Sequence, residues 1–239
     1  MKTPSILLAF TLTALTLSTG CTRVFCHKPK GPDVSQTFDL PNITGFELHM
    51  DADVTVRKGS TQAITVTGPQ NFIDLLDVDV DGGIWQIKDD GCTCGRRKLQ
   101  IDITLTDFSY ASIAGSGGVK GDSAMTGLDD VELNIAGSGD ISLDIEANSL
   151  ATRISGSGDM NIDGSATTSS HDIAGSGKVL AGDLLTEDCS AEISGSGEIR
   201  VHPSKSLDAR ISGSGDVYYK GNPTVTTHIS GSGNVIHEE

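Results

Sequence analysis

Aromatic residues are scarce in this chain of 239 residues: six Phe, three Tyr and one Trp, 4% of the whole. A core of stacked rings is excluded, and with 36% hydrophobic residues the interior must be narrow and aliphatic. Basic residues are also few, 17 Lys and Arg against 32 Asp and Glu, for a formal charge of −15. Residues 1–32 hold four basic and no acidic residues, so the remainder carries −19. That balance excludes a nucleic-acid partner, because neutralising phosphates needs a basic face. Beyond the first twenty residues no apolar run approaches the ~18 residues that cross a bilayer as a helix. What the chain has in quantity is glycine, 29 residues of it.

The N-terminus reads as an export signal over residues 1–20: Lys2 supplies the charge, Ile6 to Leu17 the apolar stretch, and Ser18, Thr19 and Gly20 the small residues before a cleavage point. Cys21 directly after Gly20 resembles the lipobox of bacterial lipoproteins, with Ser18 where that pattern prefers an aliphatic residue. The resemblance implies a lipid on Cys21 as the link to a membrane. Thr22 after it resembles the signal that sends lipoproteins to the outer membrane of Gram-negative cells. Residues 21–36 are expected to be the lipid anchor and a tether, since Thr22 to Pro32 lacks periodicity and holds two prolines and a glycine.

From residue 109 onward a repeat dominates. Ile-(Ala/Ser)-Gly-Ser-Gly-x-aliphatic starts at Ile113, Ile135, Ile154, Ile173, Ile193, Ile211 and Ile229, with spacings of 22, 19, 19, 20, 18 and 18. The flanks alternate with period two, the signature of strands. One such unit cannot bury its apolar side alone, so copies must stack. The predicted fold is all-β: a right-handed parallel β-solenoid, a single-stranded β-helix, with seven Gly-Ser-Gly corners in residues 109–239. Gly115, Gly137, Gly156, Gly175, Gly195, Gly213 and Gly231 are the structural turn glycines. A side chain on Gly195, in mid-stack, is expected to clash more than one on Gly231, which has a rung on one side only. The residues before each Ile form an outward column in which Arg153, Asp172, Glu192 and Arg210 set opposite charges on neighbouring rungs at two of three steps.

Residues 37–108 lack the motif but are strand-like, and are read as irregular N-terminal rungs, with a separate small β domain as the alternative; Asp77 to Lys88 closes one hairpin-like corner. About ten rungs and a stack of about 50 Å follow if the solenoid runs from residue 37 to the end.

The exported start, the Val78 to Ile87 segment and the repeated Ile-Ser-Gly-Ser-Gly-Asp strings together resemble the putative auto-transporter adhesins with a head GIN domain, over roughly Phe38 to Ile236. The resemblance implies a β-helical exported or lipid-anchored protein without an assigned catalytic site.

Candidate chemistry is sparse. Asp77, Asp79 and Asp81 resemble the start of an EF-hand loop, but the twelfth position is Lys88, where a bidentate Glu is needed. The residues after each corner, Gly118, Asp140, Asp159, Lys178, Glu198, Asp216 and Asn234, place a lysine inside what would be a calcium column. The six histidines form no local ligand pattern and no serine sits in a nucleophile elbow, so no catalytic residue, metal or cofactor is expected. Cys189 falls on the inward register as a small buried residue. Cys92 and Cys94, beside Arg96, Arg97 and Lys98, are disulfide candidates with each other or with Cys26. Tyr218 faces outward and Tyr219 inward.

The expected function is therefore a non-enzymatic cell-envelope binding or adhesion module with an envelope or cell-surface partner. The alternatives are a structural or stress-related envelope protein and a polysaccharide-active enzyme. His237, Glu238 and Glu239 are expected to cap the last rung by charge, giving a monomer or weak dimer.

Overall fold

Alternation drives each repeat into two inward-facing runs joined by two corners. In the computed structural model, which describes residues 26–91, 93 and 95–238, β11 (Asp140–Gly156) shows the scheme. Ile141, Leu143, Ile145 and Ala147 point inward, the phase slips at Asn148–Ser149 where the chain turns, and Leu150, Thr152 and Ile154 point inward again. The Gly-Ser-Gly corner then leads to the next rung.

The elements before β11 are β1 (Asp33–Phe38), β2 (Gly45–Leu48), β3 (Asp53–Lys58), β4 (Ala63–Pro69), a single helical turn α1 (Gln70–Ile73), β5 (Val80–Asp81), β6 (Ile84–Ile87), β7 (Gln100–Leu105), β8 (Tyr110–Gly115), β9 (Gly118–Gly121) and β10 (Met125–Gly137). After it come β12 (Asp159–Gly175), β13 (Lys178–Gly195), β14 (Glu198–Gly213), β15 (Asp216–Tyr219), β16 (Thr224–Gly231) and β17 (Asn234–His237). All stack in parallel from β8 onward, in the register expected of a β-solenoid. Ile113, Ile135, Ile154, Ile173, Ile193, Ile211 and Ile229 lie one above another, and Leu48 and Ile87 extend the column below. Every member except Ile229 is at most 2% exposed, and each such side chain contributes roughly 1.5–3 kcal/mol of burial.

The turn glycines have φ between +131° and +142°. Their carbonyls accept the serine amide of the next rung, as in Ser176 N–H to Gly156 O and Ser196 N–H to Gly175 O, both 2.9 Å. A Cβ on Gly195 would overlap the Gly175 carbonyl oxygen. The crowding is one-sided, toward the preceding rung, which corrects the expectation for Gly231: a Cβ there would overlap Gly213 O in the same way, and it is Gly115 that has nothing within 4 Å. The charged outward column is in register, but only one of its two favourable steps forms. Arg153 Nε lies 3.7 Å from Asp172, whereas Arg210 turns to Asp208 on its own strand at 2.6 Å.

The first rungs depart from sequence order. β2 lies between β6 and β8, and β3 between β7 and β9, so the rung formed first in the chain is second in the stack. β4 runs back antiparallel along β7, and β1 antiparallel along β4, so two parallel rungs, β2 with β3 and β6 with β7, are followed at the base by antiparallel strands. Nine strands therefore stack on each face, about 38 Å from first to last at ~4.8 Å per step, less than the length expected from counting all strand-like segments as rungs. One continuous hydrophobic cluster fills both halves. The scarce aromatics gather at the base: Trp85, Phe46 and Phe108 are fully buried, and Trp85 Nε1 donates to Asp77 O at 3.1 Å. The hairpin β5–β6 closes through Gly82 and Gly83, both with positive φ, and Lys88 neutralises Asp77 at 3.4 Å in place of a metal-binding loop.

The tether also needs correction at its C-terminal end. Asn71 accepts from Lys30 N–H and donates to Lys28 O, at 2.9 and 3.0 Å, Arg97 donates to Gly31 O and pairs with Asp33, and β1 begins at Asp33. Backbone from residue 26 onward is thus docked on the base. Cys21 and the export signal, like Cys92 and Cys94, lie outside the described residues.

Candidate binding groove along the second corner

The two corners of a rung differ in what they can offer. At Gly-Ser-Gly the backbones are in contact, and from Gly137 upward a side chain on the first glycine would overlap the preceding rung. At the opposite corner the sequence is free to vary: Glu146-Ala147-Asn148, Ser165-Ala166-Thr167, Leu185-Thr186-Glu187, His202-Pro203-Ser204 and Gly221-Asn222 stack there. Register shifts at Met125/Leu128, Ala181/Leu185 and Thr186/Asp188 approach or enter this corner, so the uneven repeat spacing is absorbed largely on this side. The unequal corners leave a groove of 730 Å³ parallel to the stacking axis. It draws residues from six successive turns, from Leu128 to Asn222, about 24 Å of stack.

Its floor is small and largely apolar: Leu128, Ala147, Ala166 and the methyl-bearing Thr186 are all at most 9% exposed. Leu185 projects from the rim at 56% exposure, a large aliphatic side chain left in water. Glu146 and Glu187 bring carboxylates to the walls, and Ser204 Oγ braces the corner by donating to Thr186 O at 2.9 Å. The ring of His202 has no hydrogen-bond partner among the described residues and no acid beside it to orient it. This geometry can hold an elongated ligand against an apolar strip. It offers no nucleophile paired with a base, and no flat aromatic platform for a sugar ring.

The other singled-out residues do not converge here. Tyr218 lies under the Arg200 guanidinium, 4.3 Å from ring centroid to Cζ, and Tyr219 packs against the core and stacks on His237 at 4.9 Å. Cys189 is 5% exposed and burial pushes its thiol up to about 12, so it is an inert core residue. Cys26 is disulfide-bonded. His27, next to it, forms a parallel bridge with Thr93, which sits between Cys92 and Cys94. No three His, Cys, Asp or Glu side chains are grouped to hold a metal among the described residues. A feature missed by sequence reasoning is His171, 1% exposed on the inward face, with Nδ1 2.9 Å from Thr152 Oγ1 and Nε2 unpartnered. Its inward phase, two residues before Ile173, was the available signal.

Solved structures share this architecture. A putative adhesin from Bacteroides fragilis superposes with a TM-score of 0.82 at 22% identity, covering 89% of this chain and 100% of that one. A putative lipid binding protein from Parabacteroides distasonis gives 0.74 at 24%, covering 89% and 99%. A putative adhesin from Parabacteroides merdae gives 0.65 at 20%, again covering 89% and 99%. No curated protein matches the chain. At these identities the likeness is one of fold. The sequence itself goes further, because the family model described as "Putative auto-transporter adhesin, head GIN domain" matches residues 43–223, from the interleaved base through the last full rung, and the chain belongs to that family.

Proposed function

We propose that the protein is a non-catalytic adhesion module of the bacterial cell envelope, exported by residues 1–20, lipid-anchored at Cys21 in the outer membrane, and binding an elongated ligand in the second-corner groove. The observation that carries the reading is the groove itself: it runs across six turns over a largely apolar floor with an exposed Leu185 on its rim, on a rigid stack with no acid–base pair beside it. Membership of a family described as adhesins supports the same direction.

Thr167, exposed in the middle of the groove, is the position to test. Beads coated with the exported chain are expected to bind bacterial or host cell surfaces. Thr167→Arg, which fills the groove without entering the core, is expected to abolish that binding at an unchanged melting temperature. Retention of full binding by this variant would remove the groove from the proposal.

A further inference from the structure

The last rung differs from all others in what it shows to water. Across Thr224 to His237 there is no Asp, Glu, Lys or Arg, whereas the equivalent stretch of each of the six earlier repeats holds at least one. The residues present are strand formers: Thr224, Val225, Thr226, Thr227 and Ile229 in β16, Val235 and Ile236 in β17. Ile229, whose counterparts below are buried, is 45% exposed, and among the described residues no element covers either strand on its outer side.

Of the residues expected to blunt this edge, His237 and Glu238 are turned away from it, and Glu239 lies outside the described residues. Glu238 reaches back to Arg200, two rungs down, at 2.5 Å. His237 donates or accepts backward too, with Nε2 2.8 Å from Gly221 O and its ring on Tyr219. Asn234 is spent on Asp216, through both its backbone and side-chain nitrogens at 2.9 Å. Proteins that must keep a sheet edge single place lysine, proline or inward charge on it, and this edge has none of them.

The opposite end of the stack is built differently on its two faces: one ends in the antiparallel strands β4 and β1, with the outer edge of β1 unpaired among the described residues, and the other in the two-residue β5 beside β6. β7 is paired on both sides, by β3 and β4, and β1 and α1 lie further out. Head-to-tail growth would find a strand edge of matching length on one face only, whereas β16 and β17 match their own copies on both, and the geometry points to a second copy of this chain as the occupant, tail against tail about a two-fold axis. Like strands related by a two-fold meet antiparallel, so β16 and β17 complete each other's open hydrogen bonds, and the exposed Ile229 is covered by its symmetry mate. The acidic bodies, which carry the −19 found beyond residue 32, meet along strands that themselves hold no carboxylate. This inference is independent of the groove and of its ligand.

The experiment is sedimentation equilibrium of the exported chain carrying Cys21→Ala, so that lipid cannot drive association. A dimer is expected at low micromolar concentration. Thr226→Lys places like charges across the two-fold and is expected to raise the dissociation constant by about tenfold or more, while Ser142→Lys, on the outward face of a middle rung, leaves it unchanged. Hydrogen exchange of β16 and β17 amides is expected to slow as concentration rises. A monomer up to about 100 μM, a dimer indifferent to Thr226→Lys, or concentration-independent exchange at these strands would each overturn the inference.

Discussion

A single carbon atom at a Gly-Ser-Gly corner meets a carbonyl that is already hydrogen-bonded, so the tolerance of each glycine depends on what lies one rung below it. Gly195→Ala must push the Gly175 carbonyl off the Ser196 amide and also hold alanine at φ +139°, and a loss of about 2–4 kcal/mol is expected. Gly115→Ala meets open space and carries the backbone strain alone, about 1–2 kcal/mol. Thermal denaturation of the two variants checks the difference, and equal losses would mean that strain, not stacking, fixes the glycines. His171 tests the interior in another way. Burial lowers its pKa to about 4, so the folded protein keeps the ring neutral where the unfolded chain, titrating near 6.5, takes up a proton. Stability is therefore whole above about pH 6.5, falls as the pH drops toward 4, and levels off below, for a total of roughly 3 kcal/mol. His171→Leu is expected to flatten that part of the pH profile, as read from urea midpoints at a series of pH values.

Among the elements, the regular rungs were legible because one pattern states both register and direction: an inward Ile, an outward neighbour and a corner, repeated seven times. The column from Ile113 to Ile229 follows from it residue by residue. The base was legible only as strands. Nothing in FELHM or KLQIDITL says that β2 slips between β6 and β8, because a strand buried on both sides looks the same whichever neighbour arrives first. The groove was hidden for a related reason: it is made by rungs of unequal length, and the repeat motif lies at the other corner. Docking of residues 28–31, ahead of β1, rests on a few polar contacts from Asn71 and Arg97, which carry no periodicity. Cys26 is disulfide-bonded and its neighbour His27 bridges to Thr93, a clasp on the base, so a non-reducing digest is expected to join its peptide to the one spanning residues 92–94. Cys26→Ser is expected to cost about 2–4 kcal/mol and to speed hydrogen exchange in β1, while the upper rungs stay protected. Uniformly faster exchange along the stack would show that the clasp and solenoid unfold as one unit.

For the whole molecule, direction matters more than shape. The clasp holds residue 26 at the base, five residues from Cys21, so a lipid on Cys21 would set the base at the membrane and carry the uncharged edge of β16 and β17 about 38 Å outward. Two chains paired tail to tail would then have their anchors at opposite ends, about 80 Å apart, a geometry that joins two membranes rather than two neighbours on one. Two outcomes separate the parts of this argument. Cys21→Ala is expected to move the protein from the membrane fraction to the soluble exported fraction, and unchanged membrane association would remove the anchor. Phospholipid vesicles carrying the lipidated chain are expected to cluster, as followed by light scattering. Vesicles carrying lipidated Thr226→Lys stay dispersed although equally loaded, because the added cations oppose pairing at the tail while the anchor is untouched. Clustering that survives Thr226→Lys would place the bridging contact elsewhere on the solenoid, and dispersal of both would remove bridging between membranes by paired tails.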